Sequence, residues 1–178
     1  EDVLTTISCL KETGINIKVN ANCATVYGDT FSAPKRDLNC SNSGTSMRLL
    51  AGLYASVQLP VTLCGDSSLS KRPMDRIIDP LSEMGVTIKS NNSKAPFSFI
   101  DFNPTPLNYE IPVASAQVKS CLILSALNLP GESIIKQKIR TRDHLELMID
   151  SISRDIITYN NNKITIHIRG RNSLNGFN

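Results

Sequence analysis

The chain has 178 residues, of which 40% are hydrophobic and 20% charged, and its formal net charge of +3 is too small for a protein that coats nucleic acid. This length can bury a core without disulfide or metal support, and the five scattered cysteines form no Cys-x-x-Cys pair, which argues against a disulfide framework and a zinc site. No apolar stretch reaches the roughly 20 residues of a membrane span and no signal pattern is seen, so we expect a cytoplasmic protein that binds no membrane.

One plan recurs three times along the chain: an amphipathic helix, a helix stop and alternating strand residues. The apolar residues at helical spacing are Leu4, Ile7 and Leu10, then Ile77, Ile78, Leu81 and Met84, then Leu145, Met148, Ile149 and Ile152. The alternating strand residues that follow are Ile15, Ile17 and Val19, then Val86 and Ile88, then Ile164, Ile166 and Ile168. The predicted stops are Gly14, Gly85 and Ser153, and they recur about every 70 residues. Asn160 to Asn162 are expected to turn the last hairpin.

Two further helices are predicted between these copies, in "TSMRLLAGLYAS" and "SAQVKSCLILSALNL", and each follows a strand-like segment. The elements then form a unit of strand, helix, strand, helix, strand and strand. We therefore predict an α/β protein of pseudo-repeated βαβαββ units rather than one continuous parallel sheet. The alternative is an unrelated α+β domain in which two similar hairpins occur by chance.

Four predicted helices begin with residues suited to binding anions, and the first begins after Leu38. Asn42, Ser43 and Thr45 offer amide and hydroxyl donors there, and Gly44 would let a ligand approach the backbone closely. A helix begins with unpaired N–H groups and partial positive charge, which favour a bound anion. The alternative is ordinary N-capping by these residues.

The second helix N-terminus lies in "GDSSLSKRPMDR". Pro73 fits the first helical position, which would make Arg72 the N-cap with Lys71 beside it. Because cations are electrostatically disfavoured at a helix N-terminus, this pair favours a bound anion. The alternative is a solvent-facing pair of cations.

The third helix N-terminus has Ser115 and Gln117 as its polar residues. The apolar residues that continue this helix are Val118, Leu122, Leu124 and Leu127. The alternative for Ser115 is a simple N-cap.

The fourth helix N-terminus lies in "KIRTRDHLELM". Asp143 and Glu146 have the spacing of a capping box, and Arg140 and Arg142 precede the helix. For His144 we expect a surface or packing role rather than a catalytic one.

If the units fold as repeats, equivalent helix N-termini lie on one side of the domain. That face would suit a multiply anionic ligand, because guanidinium groups bind phosphate and carboxylate oxygens through paired hydrogen bonds. Its residues would be Asn42, Thr45, Arg72, Ser115, Gln117 and Arg142.

Four stretches, in the same order and at similar spacing, resemble the 5-enolpyruvylshikimate-3-phosphate synthases. They are "LNCSNSGTSMRLLAGL", "LCGDSSLSKRPMDRIIDPLSEMG", "PVASAQVKSCLILSALNLPGES" and "TRDHLELM". The resemblance implies transfer of the enolpyruvyl group of phosphoenolpyruvate to the 5-hydroxyl of shikimate 3-phosphate, with release of phosphate. It also implies a two-domain fold, in which each domain is an inside-out α/β barrel of three βαβαββ units and the active site lies between the domains.

The resemblance implies the substrate-binding residues position by position, and it implies no cofactor and no metal. For phosphoenolpyruvate the residues are Asn42, Gly44, Thr45, Arg72 and Gln117. For shikimate 3-phosphate they are Ser115, Ala116, Gln117, Thr141 and Arg142.

By the same resemblance, residues 1–178 correspond to most of the first, N-terminal domain. The family's early Lys-Ser pair would precede this chain, and "GRNSLNGFN" resembles the linker into a second domain that holds the acid/base Asp and Glu. No catalytic residue is assigned here, so we expect the chain alone to be inactive and the second domain of the same protein to be its partner. A plastid location would require removal of a transit segment.

Two other functions are alternatives to this enolpyruvyl transferase interpretation. UDP-N-acetylglucosamine enolpyruvyl transferase has a reactive cysteine in the loop equivalent to "CGDSSLSKRP", and that position, counted from Arg72, holds Ser67. A non-catalytic anion-binding or nucleic-acid-binding module would favour aromatic residues beside its basic ones, yet none flank Arg72 or Arg142. We therefore expect small-molecule substrates and no nucleic-acid partner.

Overall fold

The computed structural model describes residues 2–21, 23–153, 156–160 and 164–170. The helices are α1 (Asp2–Glu12), α2 (Gly44–Ser56), α3 (Asp75–Glu83), α4 (Ala116–Ala126) and α5 (His144–Ile152). The strands are β1 (Ile17–Asn20), β2 (Cys23–Val26), β3 (Leu38–Asn39), β4 (Thr62–Cys64), β5 (Val86–Asn91), β6 (Lys94–Phe102), β7 (Asn108–Ile111), β8 (Glu132–Gln137), β9 (Ile157–Asn160) and β10 (Thr165–Arg169).

Two complete βαβαββ units follow each other, β3-α2-β4-α3-β5-β6 and β7-α4-β8-α5-β9-β10. Each forms a four-stranded sheet in which the spatial order is first, second, fourth and third strand. In both sheets the first two strands pair in parallel and the other neighbours pair antiparallel. α1 and the antiparallel β1–β2 hairpin match the last helix and hairpin of a unit. The predicted repeat is confirmed, because two hairpins that are alike by chance would not share this strand order.

Glycines end two of the repeated helices, as predicted. Gly14 and Gly85 have φ values of 91° and 105°, which glycine adopts without steric strain. At Gly85 a Cβ atom would also lie 2.3 Å from the carbonyl oxygen of Asn103. Ser153, the C-cap of α5, has φ −149° and ψ 113°, so the chain leaves this helix through extended backbone. That geometry explains why the third copy needs no glycine.

The structure buries the predicted apolar face of α3 completely but that of α1 only in part. All four predicted residues at α3 are buried, Ile77, Ile78 and Leu81 within the helix and Met84 at its C-cap. In α1 the prediction is wrong for Leu4, which is 63% exposed, whereas Thr5 and Cys9 are buried. The hydroxyl groups of Thr6 and Ser46 lie 2.8 Å apart, so α1 packs its small residues against α2. Small side chains allow this close approach, and the larger Leu4 faces outward.

In the third copy of the repeat, the central residues of the predicted apolar faces are buried as expected. Ile149 of α5 and Ile166 and Ile168 of β10 are buried, and β9 pairs antiparallel with β10. Residues 161–162 of the predicted turn and 171–178 of the predicted linker lie outside the described residues.

The pairing of α2 with α4 places the candidate site. Gly52 of α2 faces the backbone of α4, since a Cβ atom there would lie 2.2 Å from the carbonyl oxygen of Cys121. Thr45 and Gln117, near the beginnings of the two helices, are hydrogen-bonded to each other. The N-termini of α2 and α4 therefore lie side by side.

The described residues include no helix whose length and apolar character would let it cross a membrane. All five cysteines are free thiols. Burial raises the pKa of Cys121 to about 12, so this thiol is uncharged in the core.

Candidate anion-binding site

The N-terminus of α2 combines a cap with a glycine. Ser43 is the N-cap, and its hydroxyl oxygen accepts a hydrogen bond from the N–H of Ser46 at 3.0 Å. Gly44 is the first helical residue, and an added Cβ atom would lie 2.7 Å from Arg48 Nη1 and 3.3 Å from Arg72 Nη1. Two guanidinium groups therefore converge on Gly44, at the positive end of the helix.

Arg72 does not cap α3, so this part of the prediction is wrong. A 3₁₀ turn at Leu69–Lys71 precedes Arg72, and Met74 is the N-cap of α3. Met74 is fully buried and its N–H donates to the carbonyl oxygen of Ser93 at 2.8 Å, which delays the start of the helix. Arg72 is extended, with φ −75° and ψ 136°, as residues before proline usually are. Its Nη2 instead donates to Asn42 Oδ1 at 2.5 Å, which joins it to the N-terminus of α2.

An acidic residue organises the loop between β4 and Arg72. Asp66 Oδ1 accepts from the N–H groups of Ser68 and Leu69 at 2.9 and 2.8 Å. Asp66 Oδ2 accepts from Asn42 Nδ2 at 2.9 Å. The hydrogen bond from Leu69, followed by the one from Asn42, lowers the pKa of Asp66. Asp66 and Arg72 thus orient the two ends of the Asn42 amide.

The N-terminus of α4 meets that of α2 through Gln117. Ser115 is the N-cap of α4, and its hydroxyl oxygen accepts from the N–H of Val118 at 3.3 Å. Gln117 Nε2 donates to Thr45 Oγ1 at 2.9 Å, and Gln117 Oε1 accepts from Arg48 Nη1 at 3.0 Å. One amide therefore links two helices whose residues are far apart in sequence.

Arg48 is a site residue that the sequence interpretation missed. It is partly buried, and its Nη1 also donates to the carbonyl oxygen of Gly44 at 3.2 Å. Burial, followed by the positive charges of Arg72 and Arg76, lowers the pKa of Arg48. A bound anion would relieve this repulsion between like charges. The available signal was weak: Arg48 lies four residues after Gly44, which places both on one helix face.

The N-terminus of α5 lacks the predicted capping box. Asp143 is the N-cap residue, but its side chain makes no capping hydrogen bond and its Oδ2 accepts from Arg140 Nη2 at 2.8 Å. Glu146 is 1% exposed, and its Oε1 lies 2.5 Å from Lys119 Nζ. The capping box fails because a buried ammonium group binds the carboxylate that the box requires.

A cavity of about 380 Å³ joins the N-termini of α4 and α5. Its lining includes Thr45, Ala116, Gln117, Arg142 and His144. Arg142 and His144 are exposed, so His144 has the surface position that the sequence predicted. Met148, predicted on the buried face, is 44% exposed and also lines the cavity.

Thr141 makes its contacts outside this cavity. Its N–H and its hydroxyl both donate to Gln137 Oε1, at 3.2 and 3.0 Å. Gln137 is buried at the end of β8, so these bonds hold the loop that leads to Arg142.

A larger cavity, of about 590 Å³, lies between α1 and β3, away from the helix N-termini. Its basic residue Arg36 forms an ion pair with Glu12, so the charge there is compensated. The helix N-termini are therefore the better candidate for an anion site. Within the described ranges, no three His, Cys, Asp or Glu side chains are grouped so as to hold a metal ion.

Comparisons with known proteins agree on one family. The family model described as EPSP synthase (3-phosphoshikimate 1-carboxyvinyltransferase) matches residues 1–178. A curated 3-phosphoshikimate 1-carboxyvinyltransferase of Ruthia magnifica is 41% identical over 99% of this chain and 41% of its own length. One from Streptococcus agalactiae serotype Ia is 48% identical over 84% of this chain and 36% of its own length. The names of these relatives do not support the UDP-N-acetylglucosamine alternative.

A solved structure of EPSP synthase from Acinetobacter baumannii superimposes with a TM-score of 0.89 and 34% identity. The superposition covers 97% of this chain and 40% of that one. The chain thus spans about two fifths of the length of the proteins that it matches. With a family model that matches residues 1–178 and a closely similar fold, the chain belongs to the EPSP synthase (3-phosphoshikimate 1-carboxyvinyltransferase) family.

Proposed function

We propose that this chain provides the substrate-binding part of a cytoplasmic 3-phosphoshikimate 1-carboxyvinyltransferase of aromatic amino acid biosynthesis. The reaction transfers the enolpyruvyl group of phosphoenolpyruvate to the 5-hydroxyl of shikimate 3-phosphate and releases phosphate. Family membership supports this activity. The observation that supports the site most strongly is the Gln117 amide, which joins the N-termini of α2 and α4 beside two arginines. Both substrates are multiply anionic, and such a site suits their phosphate and carboxylate groups.

We place shikimate 3-phosphate in the cavity between α4 and α5. Ala116 and Gln117 line this cavity at the beginning of α4, where the first N–H groups of a helix have no carbonyl partner within the helix. Ser115 caps the same turn, and Arg142 presents an exposed guanidinium group on the opposite side. Thr141 would contribute by holding the loop before Arg142.

We place phosphoenolpyruvate at the N-terminus of α2. Gly44 leaves room beside two guanidinium groups, and Asn42 fixes the position of Arg72. Thr45 and Gln117 lie between the two subsites, since both line the cavity and are hydrogen-bonded to each other. Gln117 would therefore contact both substrates.

We further propose that residues 1–178 form most of the first domain of a two-domain enzyme. The reaction needs proton transfers at the enol carbon and at the attacking hydroxyl, from groups within hydrogen-bond reach. No residue of this chain is assigned to them, so a second domain of the same protein would supply the acid and the base.

Shikimate 3-phosphate is expected to bind the chain alone. In an NMR titration, the amide signals of Ser115, Gln117 and Arg142 should shift together. Arg142→Ala should weaken binding about thirtyfold, because it removes charge-assisted hydrogen bonds worth about 2 kcal/mol. Arg36→Ala is the matched control, since it removes one exposed guanidinium group at the other cavity and should leave binding unchanged. Equal losses in the two variants would contradict the subsite.

The activity itself is tested with a hybrid enzyme. When this chain replaces the matching segment of the Ruthia magnifica relative, the hybrid should release phosphate from phosphoenolpyruvate only when shikimate 3-phosphate is present. The chain alone should release none. A folded hybrid that binds both substrates yet is inactive would argue against the proposed function.

Gly44→Ala is expected to fold normally yet weaken phosphoenolpyruvate binding about tenfold, or about 1.4 kcal/mol. The new methyl group would meet the tips of Arg48 and Arg72, which are flexible and can move, so the free energy of unfolding should change by less than about 1 kcal/mol. The methyl group would also fill the space in which we place the ligand. The dissociation constant of phosphoenolpyruvate, measured with saturating shikimate 3-phosphate, checks this, and unchanged affinity would place the ligand elsewhere.

A further inference from the structure

Lys119 and Glu146 form an ion pair inside the protein, between α4 and α5. Lys119 is 0% exposed and Glu146 is 1% exposed, and Lys119 Nζ lies 2.5 Å from Glu146 Oε1. The same Nζ donates a hydrogen bond to the main-chain carbonyl oxygen of Arg142 at 2.8 Å. One ammonium group thus binds both the first turn of α5 and the residue that precedes this helix by two positions.

Both partners belong to the elements that form the candidate site. Lys119 lies in the first turn of α4, two residues after Gln117, and its N–H donates to the carbonyl oxygen of Ser115. Glu146 lies in the first turn of α5. The pair therefore connects the two helices that border the cavity, with Arg142 on one side and Gln117 on the other.

Stability alone is a poor explanation for this pair. Removing two charges from water has an energetic penalty that their attraction offsets only when the remaining polar atoms are also satisfied. Glu146 Oε2 is buried and has no hydrogen-bond partner among the described residues, so that condition is not met. An apolar pair of similar volume would serve the core equally well.

The loop before α5 has few other features that would fix Arg142. Residues 138–143 have neither helical nor strand structure. Thr141 is bound to Gln137, and Arg140 is bound to Asp143. The carbonyl oxygen of Arg142 is held by Lys119. A rigid backbone at Arg142 limits where its long side chain can reach.

We propose that the buried Lys119–Glu146 pair is a positioning device that holds Arg142 where its guanidinium group meets the phosphate of shikimate 3-phosphate. This inference rests on the proposed function, because it takes Arg142 as a ligand of that substrate. Lys119 and Glu146 are positioning residues, since they act through Arg142 and do not touch the substrate.

The test is a cycle of variants of the 178-residue chain, titrated with shikimate 3-phosphate by calorimetry. Lys119→Met/Glu146→Met replaces the pair with apolar side chains and should weaken binding about tenfold. Arg142→Ala alone should weaken binding about thirtyfold. The triple variant should bind no more weakly than Arg142→Ala, because residues that act through one another are not additive. If the pair had only a structural role, the loss of affinity in the triple variant would instead be the product of the two separate losses.

The possible results distinguish failure of this inference from failure of the proposed function on which it rests. Wild-type affinity in Lys119→Met/Glu146→Met, or additive losses in the triple variant, would overturn the inference and leave the proposed function standing. Absence of binding by the wild-type chain, or an Arg142→Ala variant that binds normally, would overturn the subsite and the inference together. If the double variant fails to fold, Glu146→Gln, which is isosteric, replaces it. It should weaken binding about threefold while Arg142 is present and not at all in Arg142→Ala.

Discussion

Lys119→Met is expected to lower the free energy of unfolding by about 4 kcal/mol. The substitution removes the ammonium group and leaves the Glu146 carboxylate buried, with neither of its oxygen atoms compensated. The carbonyl oxygen of Arg142 also loses its hydrogen bond. Urea denaturation followed by circular dichroism measures this change, and the midpoint of thermal unfolding should fall by about 10 °C.

Two controls identify the uncompensated charge as the cause. Lys119→Met/Glu146→Met removes both charges and should recover the free energy of unfolding to within about 1 kcal/mol of the wild type. Arg36→Met breaks the Arg36–Glu12 pair, which lies at the surface, and should have no measurable effect. If the double variant were as unstable as Lys119→Met, the loss would come from the packing of the Lys119 side chain rather than from the charge.

Gly52→Ala is expected to lower the free energy of unfolding by about 3 kcal/mol, at the upper end for overpacked sites. Helix propensity alone predicts the opposite sign, since alanine favours a helix over glycine by about 1 kcal/mol. Packing outweighs helix propensity at this position, because the new Cβ atom would lie 2.2 Å from the carbonyl oxygen of Cys121 and 2.9 Å from its carbonyl carbon. These are main-chain atoms of α4 and cannot move independently of the helix. Thermal unfolding measures the loss.

The same variant should also disturb the site. If α2 and α4 are forced apart, the Gln117 hydrogen bonds to Thr45 and Arg48 are lengthened, and the affinity for shikimate 3-phosphate should fall. Gly44→Ala is the matched control for the loss of stability, because it is the same substitution on the same helix beside side-chain tips rather than backbone. A Gly52→Ala variant as stable as the wild type would mean that the two helices are not in backbone contact.

Much of the fold was predictable because its signals are local. Apolar spacing in α3 and the stops at Gly14 and Gly85 depend only on neighbouring residues, and all three are confirmed. The α1 face was partly mispredicted because its orientation depends on α2, where the Thr6 hydroxyl meets Ser46. Periodicity identifies a helix, but the neighbouring helix decides which face is buried.

For the candidate site, the sequence predicted individual residues better than it predicted the contacts between them. Gln117 and Arg142 line one cavity, as the sequence suggested for residues at equivalent helix N-termini. Arg72 was placed at the wrong helix, because the burial of Met74 delays the start of α3. Lys119 was not recognised, since an isolated lysine in an apolar helix gives no indication of its partner.

Local signals in the sequence account for the repeated βαβαββ units and the helices, because spacing, caps and glycines act over a few residues. The expected N-cap positions hold for Ser115 and Asp143 but not for Arg72, since Met74 is the N-cap of α3. Packing of distant segments creates the contacts of Gln117 with Thr45 and Arg48, which lie 72 and 69 positions away. It also pairs Lys119 with Glu146, which keeps Glu146 from capping α5. These contacts depend on how closely α2, α4 and α5 pack. That distance is set by Gly52 and by a buried charge whose partner is distant in sequence.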